Sequence, residues 1–135
     1  MARIFQDNKG NIPEIHGKTI VQLICVESLY DGGKKEPCLF LLKLNESDFW
    51  YRFFLDASLC FWGKYKHFPK NDIEDTDDFS WYDLSDKTGL KGLQILNTCV
   101  SELGEGVKLE IVLSNDRKIM LSMLSFDGDT ILEVL

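Results

Sequence analysis

At 135 residues the chain has the length of one domain, enough to bury about two thirds of its unfolded surface. A hydrophobic share of 44% beside 27% charged residues excludes wholesale disorder, and no apolar run approaches the roughly 18–20 residues a membrane-spanning helix needs. The formal net charge of −7 is uneven: ten Lys/Arg face eight Asp/Glu through residue 70, and five face fourteen from residue 71 onward. Phosphate binding needs clustered Lys and Arg, so nucleic acid is not the expected partner and a basic protein surface is.

The N-terminal MARIFQDNKGNIPEIHG lacks the apolar core of a signal peptide, so a cytoplasmic location is expected by default. It reads as an arm carrying Ile4 and Phe5, followed by a turn at Asn8-Lys9-Gly10-Asn11. Gly17 opens KTIVQLICVESL, a β-branched apolar run of strand length. Tyr30 to Pro37, with two glycines and a proline, reads as a loop. Cys38 to Leu44 is the next strand, and the polar turn Asn45-Glu46-Ser47-Asp48 leads into Phe49 to Leu55 as a hairpin.

Residues Phe49 to Phe68 hold more than half of the chain's aromatic side chains. Asp56-Ala57-Ser58 interrupts them with turn formers, which predicts two strands, the second starting at Leu59. Both faces of Phe49 to Leu55 are apolar apart from Arg52, so this strand is expected to be central and covered on both sides. Arg52 then needs a carboxylate partner or an exit to solvent.

Lys64, Lys66, His67 and Lys70 form a small basic patch, and Asn71 to Asp86 then carries seven acidic residues and no basic one. Like charges resist compaction, so a solvated loop is expected there, its second half pinned to the body by Phe79, Trp81, Tyr82 and Leu84. In LKGLQILNTCVSELGEG the leucines recur at helical spacing, but Gly92 and the run Asn97-Thr98-Cys99-Val100 disfavour a helix. An apparent internal repeat favours a strand. Placing Gly92-Leu-Gln-Ile95 on Gly17-Lys-Thr-Ile20 brings VKLEIVLSNDRKIMLSML beside CLFLLKLNESDFWYRFFL. Val107 to Leu113 and Lys118 to Leu124 alternate around Asn115-Asp116 as a hairpin, and Phe126 to Asp129 turns into a last strand.

The expected fold is mainly β, with α+β left open by residues 90–103. It is a single domain of two related antiparallel meanders, 17–62 and 92–135, joined by the acidic segment 71–86 and packed as a sandwich or partly open barrel.

No nucleophile elbow, phosphate loop, dinucleotide fingerprint or HExxH helix is present, and two distant histidines do not make a zinc site. Cys25, Cys38, Cys60 and Cys99 sit in apolar surroundings without a CxxC pair and read as buried thiols. In the acidic run the sixth and twelfth positions of a calcium loop are Asp77 and Asp83, where glycine and glutamate are required. Neither catalysis nor a metal or cofactor is expected.

Asp72, Glu74, Asp75, Asp77 and Asp78, followed by Trp81 and Tyr82, have the composition of a surface for a cationic partner. Carboxylates steer the encounter and rings anchor it. With its acidity and lack of catalytic residues, the chain resembles the small bacterial immunity proteins that neutralise a cognate toxin, including those of contact-dependent inhibition. The resemblance implies a monomer or homodimer that occludes a basic toxin, such as a nuclease, and performs no chemistry. The alternative from the aromatic stretch is a β-barrel or sandwich with a ligand pocket lined by Trp50, Phe54 and Trp62.

Overall fold

The computed structural model describes residues 3–6, 12–30, 34–68, 79–125 and 129–135. Its strands, in chain order, are β1 (Arg3–Gln6), β2 (Ile20–Tyr30), β3 (Lys34–Leu44), β4 (Trp50–Asp56), β5 (Leu59–Tyr65), β6 (Phe79–Asp83), β7 (Ile95–Leu103), β8 (Gly106–Leu113), β9 (Lys118–Met123) and β10 (Thr130–Val134). The single-turn helix α1 (Ser85–Thr88) and a 3-10 turn at Pro13–Ile15 complete the described elements. No described helix is long and apolar enough to cross a membrane.

All pairings are antiparallel and fall into two open sheets, a six-stranded one in the order β1-β5-β4-β3-β2-β6 and a four-stranded one in the order β10-β9-β8-β7. Neither closes on itself, so the architecture is a sandwich. β10 packs over β3, β9 over β4 and β8 over β5.

The two meanders are related residue by residue where they meet. Gly17 donates its N–H to the Ile95 carbonyl at 2.7 Å, and Gly92 donates to Ile20 at 2.8 Å. Ile20 donates to Leu93 at 2.9 Å and Ile95 to Lys18 at 2.8 Å, around the bridge Thr19↔Gln94. Both first strands then bulge at the same place, between Ile20 and Gln22 opposite Leu44 and between Ile95 and Asn97 opposite Leu113. The correspondence is local to this seam, and β1 and β6 are present in the large sheet only.

One core fills the space between the sheets. Phe40, Leu42, Tyr51, Phe53, Cys60 and Trp62 come from the large sheet and Leu109, Ile111, Ile119 and Leu121 from the small one. Phe40 and Phe53 stack with centroids 4.9 Å apart. Full burial of each such side chain is worth about 1.5–3 kcal/mol, which makes this interface the main source of stability. The alternation Tyr51-Phe53-Leu55 inward and Trp50-Arg52-Phe54 outward comes from the two-residue period of a strand.

Residues 90–103 resolve as β7 preceded by a loop, and the second half of the acidic segment is pinned, as β6, to the edge of β2. The N-terminal arm is a strand, β1, paired to β5. Strand β3 starts at Lys34, inside the expected loop, because Pro37 sits opposite Glu27 at a register shift and beyond the last β3 residue paired to β4, where no ladder N–H is required. Cys25 and Cys60 are buried, but Cys99 is exposed on β7, pointing away from the core beside inward-facing Thr98 and Val100. The expected turns at Asn8–Asn11 and Phe126–Gly128 lie outside the described residues.

Candidate partner-binding face

The outer surfaces of the two sheets differ in chemistry. On the small sheet, Glu110 lies between Lys108 at 3.1 Å and Lys118 at 3.6 Å, a charged ladder suited to water. The hydrogen bond from Lys108 holds the Glu110 carboxyl below its ordinary value against a smaller opposing effect of burial.

The large sheet turns rings outward. Register places Trp50 beside Tyr65, Arg52 beside Gly63 and Phe54 beside Phe61, with Leu39 and Leu41 of β3 on the other flank. Phe54 and Phe61 stack at 5.1 Å and 12°. Phe68, just past β5, packs edge-on against Trp50 at 4.9 Å and, tilted by 42°, against Trp81 of β6 at 5.2 Å. This row covers Ile24, Val26 and Leu41, a second small hydrophobic cluster on the far side of the sheet from the main core. Strand β4 is therefore central, but its outer face is only half-buried, because no second sheet covers it.

Among the described residues Arg52 has no carboxylate partner, and it is only partly exposed. Gly63 opposite it offers no side chain, and its guanidinium carbon lies 5.0 Å from the Phe54 ring centroid and 5.3 Å from that of Tyr65. Its buried Nε has no hydrogen-bond partner among the described residues. Beside it opens a cleft of about 270 Å³ lined by Leu39, Arg52, Phe54, Leu55 and Asp56.

Of the residues singled out from sequence, Trp81 and Tyr82 are both 40% exposed. They do not form one surface. Trp81 pairs with Val26 and joins the outer aromatic face, whereas Tyr82 pairs with Cys25, whose side faces the other sheet's layer. Burial first, then Cys25 and Glu27, push the Tyr82 hydroxyl well above its ordinary pKa. Asp72, Glu74, Asp75, Asp77 and Asp78 lie outside the described residues.

Asp83, which ends β6, accepts from Gln22 Nε2 at 2.8 Å, from the Ser85 N–H at 2.8 Å and from the Ser85 hydroxyl. Burial raises its pKa, but these hydrogen bonds together outweigh burial and lower it. They fix the end of β6 and the start of α1, and so the placement of Trp81.

The ligand pocket expected from Trp50, Phe54 and Trp62 does not form. Trp62, 6% exposed, belongs to the core between the sheets, on the opposite side of β5 from Phe61. The residues that sequence reasoning missed are Phe61, Phe68 and Arg52 as members of one face. The signal was present in the alternation of Trp50-Arg52-Phe54 against Tyr51-Phe53-Leu55.

The two histidines contribute no base to this surface. His16 Nε2 is 2.8 Å from Thr98 Oγ1, on the seam between the meanders, and His67 is exposed beside Phe68. The face can bind by apolar contact, ring stacking and one cation. In comparisons with known proteins, no protein-family model, no curated protein and no solved structure matched the chain.

Proposed function

We propose that the chain is a non-catalytic binding protein that uses the outer face of its six-stranded sheet to cover a basic partner, in the manner of an immunity protein neutralising a toxin. The observation that carries this reading is the row Trp50, Phe68 and Trp81, partly exposed rings on the outer face of the large sheet, in a sandwich whose other outer face is charged. Large, rigid rings at a partly exposed surface are the usual anchors of protein interfaces. The acidic run 72–78 immediately precedes β6 in sequence, three residues before Trp81, so a cationic partner is the one that charge would steer there.

The test is affinity capture from the native host at low and moderate salt, followed by assay of what is recovered. The expected result is one basic protein, retained at moderate salt, whose toxic activity is abolished by an equimolar amount of this chain. Recovery of no basic protein at either salt, or of one whose activity is unaffected, contradicts the reading.

A further inference from the structure

We propose that the cleft beside Arg52 is a binding site for a small monocarboxylate with an apolar body, of the size of an aryl or short-chain acyl acid. The site goes beyond the protein-binding reading and does not depend on it.

Arg52 carries a positive charge on the outer face of the sheet, yet no ion pair to it exists among the described residues. Its Nε–H is buried with no acceptor among the described residues. A buried donor without a partner is disfavoured, so an acceptor that reaches it gains the full cost of leaving it unmade. The guanidinium carbon lies 5.0 Å from the Phe54 ring centroid and 5.3 Å from that of Tyr65, so its contacts here are with rings. A carboxylate is the acceptor whose two oxygens match a guanidinium edge, one on Nε and one on an Nη, and binding it requires the buried Nε to turn toward the cleft.

The remaining walls set the rest of the ligand. Leu39, Phe54 and Leu55 are apolar and suit a ring or a short alkyl chain. A volume of about 270 Å³ is just below the range of drug-sized pockets and admits roughly ten non-hydrogen atoms. Asp56 is exposed on the rim, so the site offers one positive charge against one negative charge nearby. That balance selects a monoanion and disfavours phosphate, which carries close to two charges and needs clustered cations.

The side-chain Nε–H signal of Arg52 in a nitrogen-resolved NMR spectrum reads the site directly in the wild-type protein. Benzoate and octanoate are the probes, with benzyl alcohol, octylamine and inorganic phosphate as controls. Both carboxylates are expected to shift the signal saturably, with a Kd between about 10 μM and 1 mM. The controls should bind at least about 10-fold more weakly, because they lack the charge-assisted pair. Asp56→Asn should tighten benzoate binding a few-fold. Arg52→Met should weaken it by about 10- to 100-fold, read from shifts of backbone signals in β4.

An Arg52 signal unmoved by either carboxylate at about 10 mM, or moved equally by octylamine or phosphate, overturns the proposal. Because the wild-type signal decides, a poorly folded Arg52→Met variant does not remove the test.

Discussion

Gly17 and Gly92 occupy the same backbone position in the two halves of the sandwich, with φ of +81° and +91°, each donating to the first strand residue of the opposite meander. A side chain at either position meets no neighbouring atom within 4 Å, so only backbone conformation opposes substitution. Gly17→Ala and Gly92→Ala should therefore cost similar amounts, about 1–2 kcal/mol each by urea unfolding. Because the sites are paired across one seam, the double variant should depart from additivity. Costs differing by more than about twofold would show that the seam is not symmetric in energy.

Gly106 is constrained by space. A Cβ there would stand 1.6 Å from the Met123 carbonyl oxygen, so β8 and β9 can approach at this point only without a side chain. Gly106→Ala should lower stability by about 2–4 kcal/mol, as overpacking against rigid backbone does. Thermal unfolding of the variant checks this, and an unchanged midpoint would mean the strand ends are not held this closely.

The hairpin between β4 and β5 turns through Ala57 and Ser58 with φ of +50° and +61°, a conformation that favours Asn and Gly. Ser58 is committed, since its hydroxyl donates to the Glu105 carbonyl at 2.7 Å and ties the two halves together. Ala57 makes no such bond. Ala57→Asn should stabilise by about 0.5–1 kcal/mol, and Ser58→Gly should gain less because it forfeits the hydrogen bond. Denaturant midpoints of the two variants give the comparison.

Stability should fall at both ends of the pH range. Asp83 and Glu110 are more acidic in the folded chain than unfolded, so their contribution is present above the ordinary carboxylate range, near pH 4, and is lost as pH drops through their lower folded values. Asp83 is exposed and Glu110 partly so, and solvent screening limits each to at most about 1 kcal/mol. Asp83→Asn should thus lower the urea midpoint at pH 6 and match wild type near pH 2. Tyr51 and Tyr82 are raised, first by burial, so their contribution is intact below pH 10 and is lost above it. A urea midpoint that climbs between pH 10 and pH 12 would contradict the assignment.

Much of the fold was legible because strand alternation is a local signal. Val107 to Leu113 and Lys118 to Met123 show it plainly, while the match of Gly17-Ile20 to Gly92-Ile95 only favoured a strand against the leucine spacing of residues 90–103, which the structure resolves as β7. What stayed hidden depends on pairing between distant segments. Nothing near Arg3–Gln6 reports that β5 has a free edge to fill, and Pro37 is tolerated only because of where β4 and a register shift fall. Arg52 called for a carboxylate or an exit to solvent on sequence grounds, yet register set Gly63 opposite it and two rings near its guanidinium. Trp81 and Tyr82 read as one anchor while their segment was taken for an acidic surface run. Once β6 is a strand, the two-residue period alone separates them.

That separation supplies the most direct test of the proposed binding face. The Kd for the captured basic partner should be measured for wild type, Trp81→Ala and Tyr82→Ala, each confirmed folded by its far-UV spectrum. Binding through the outer face of the six-stranded sheet predicts that Trp81→Ala weakens the complex by about 30-fold or more, the cost of losing an interface anchor, while Tyr82→Ala stays within about threefold. A larger loss at Tyr82 than at Trp81, or no loss at either, would contradict it.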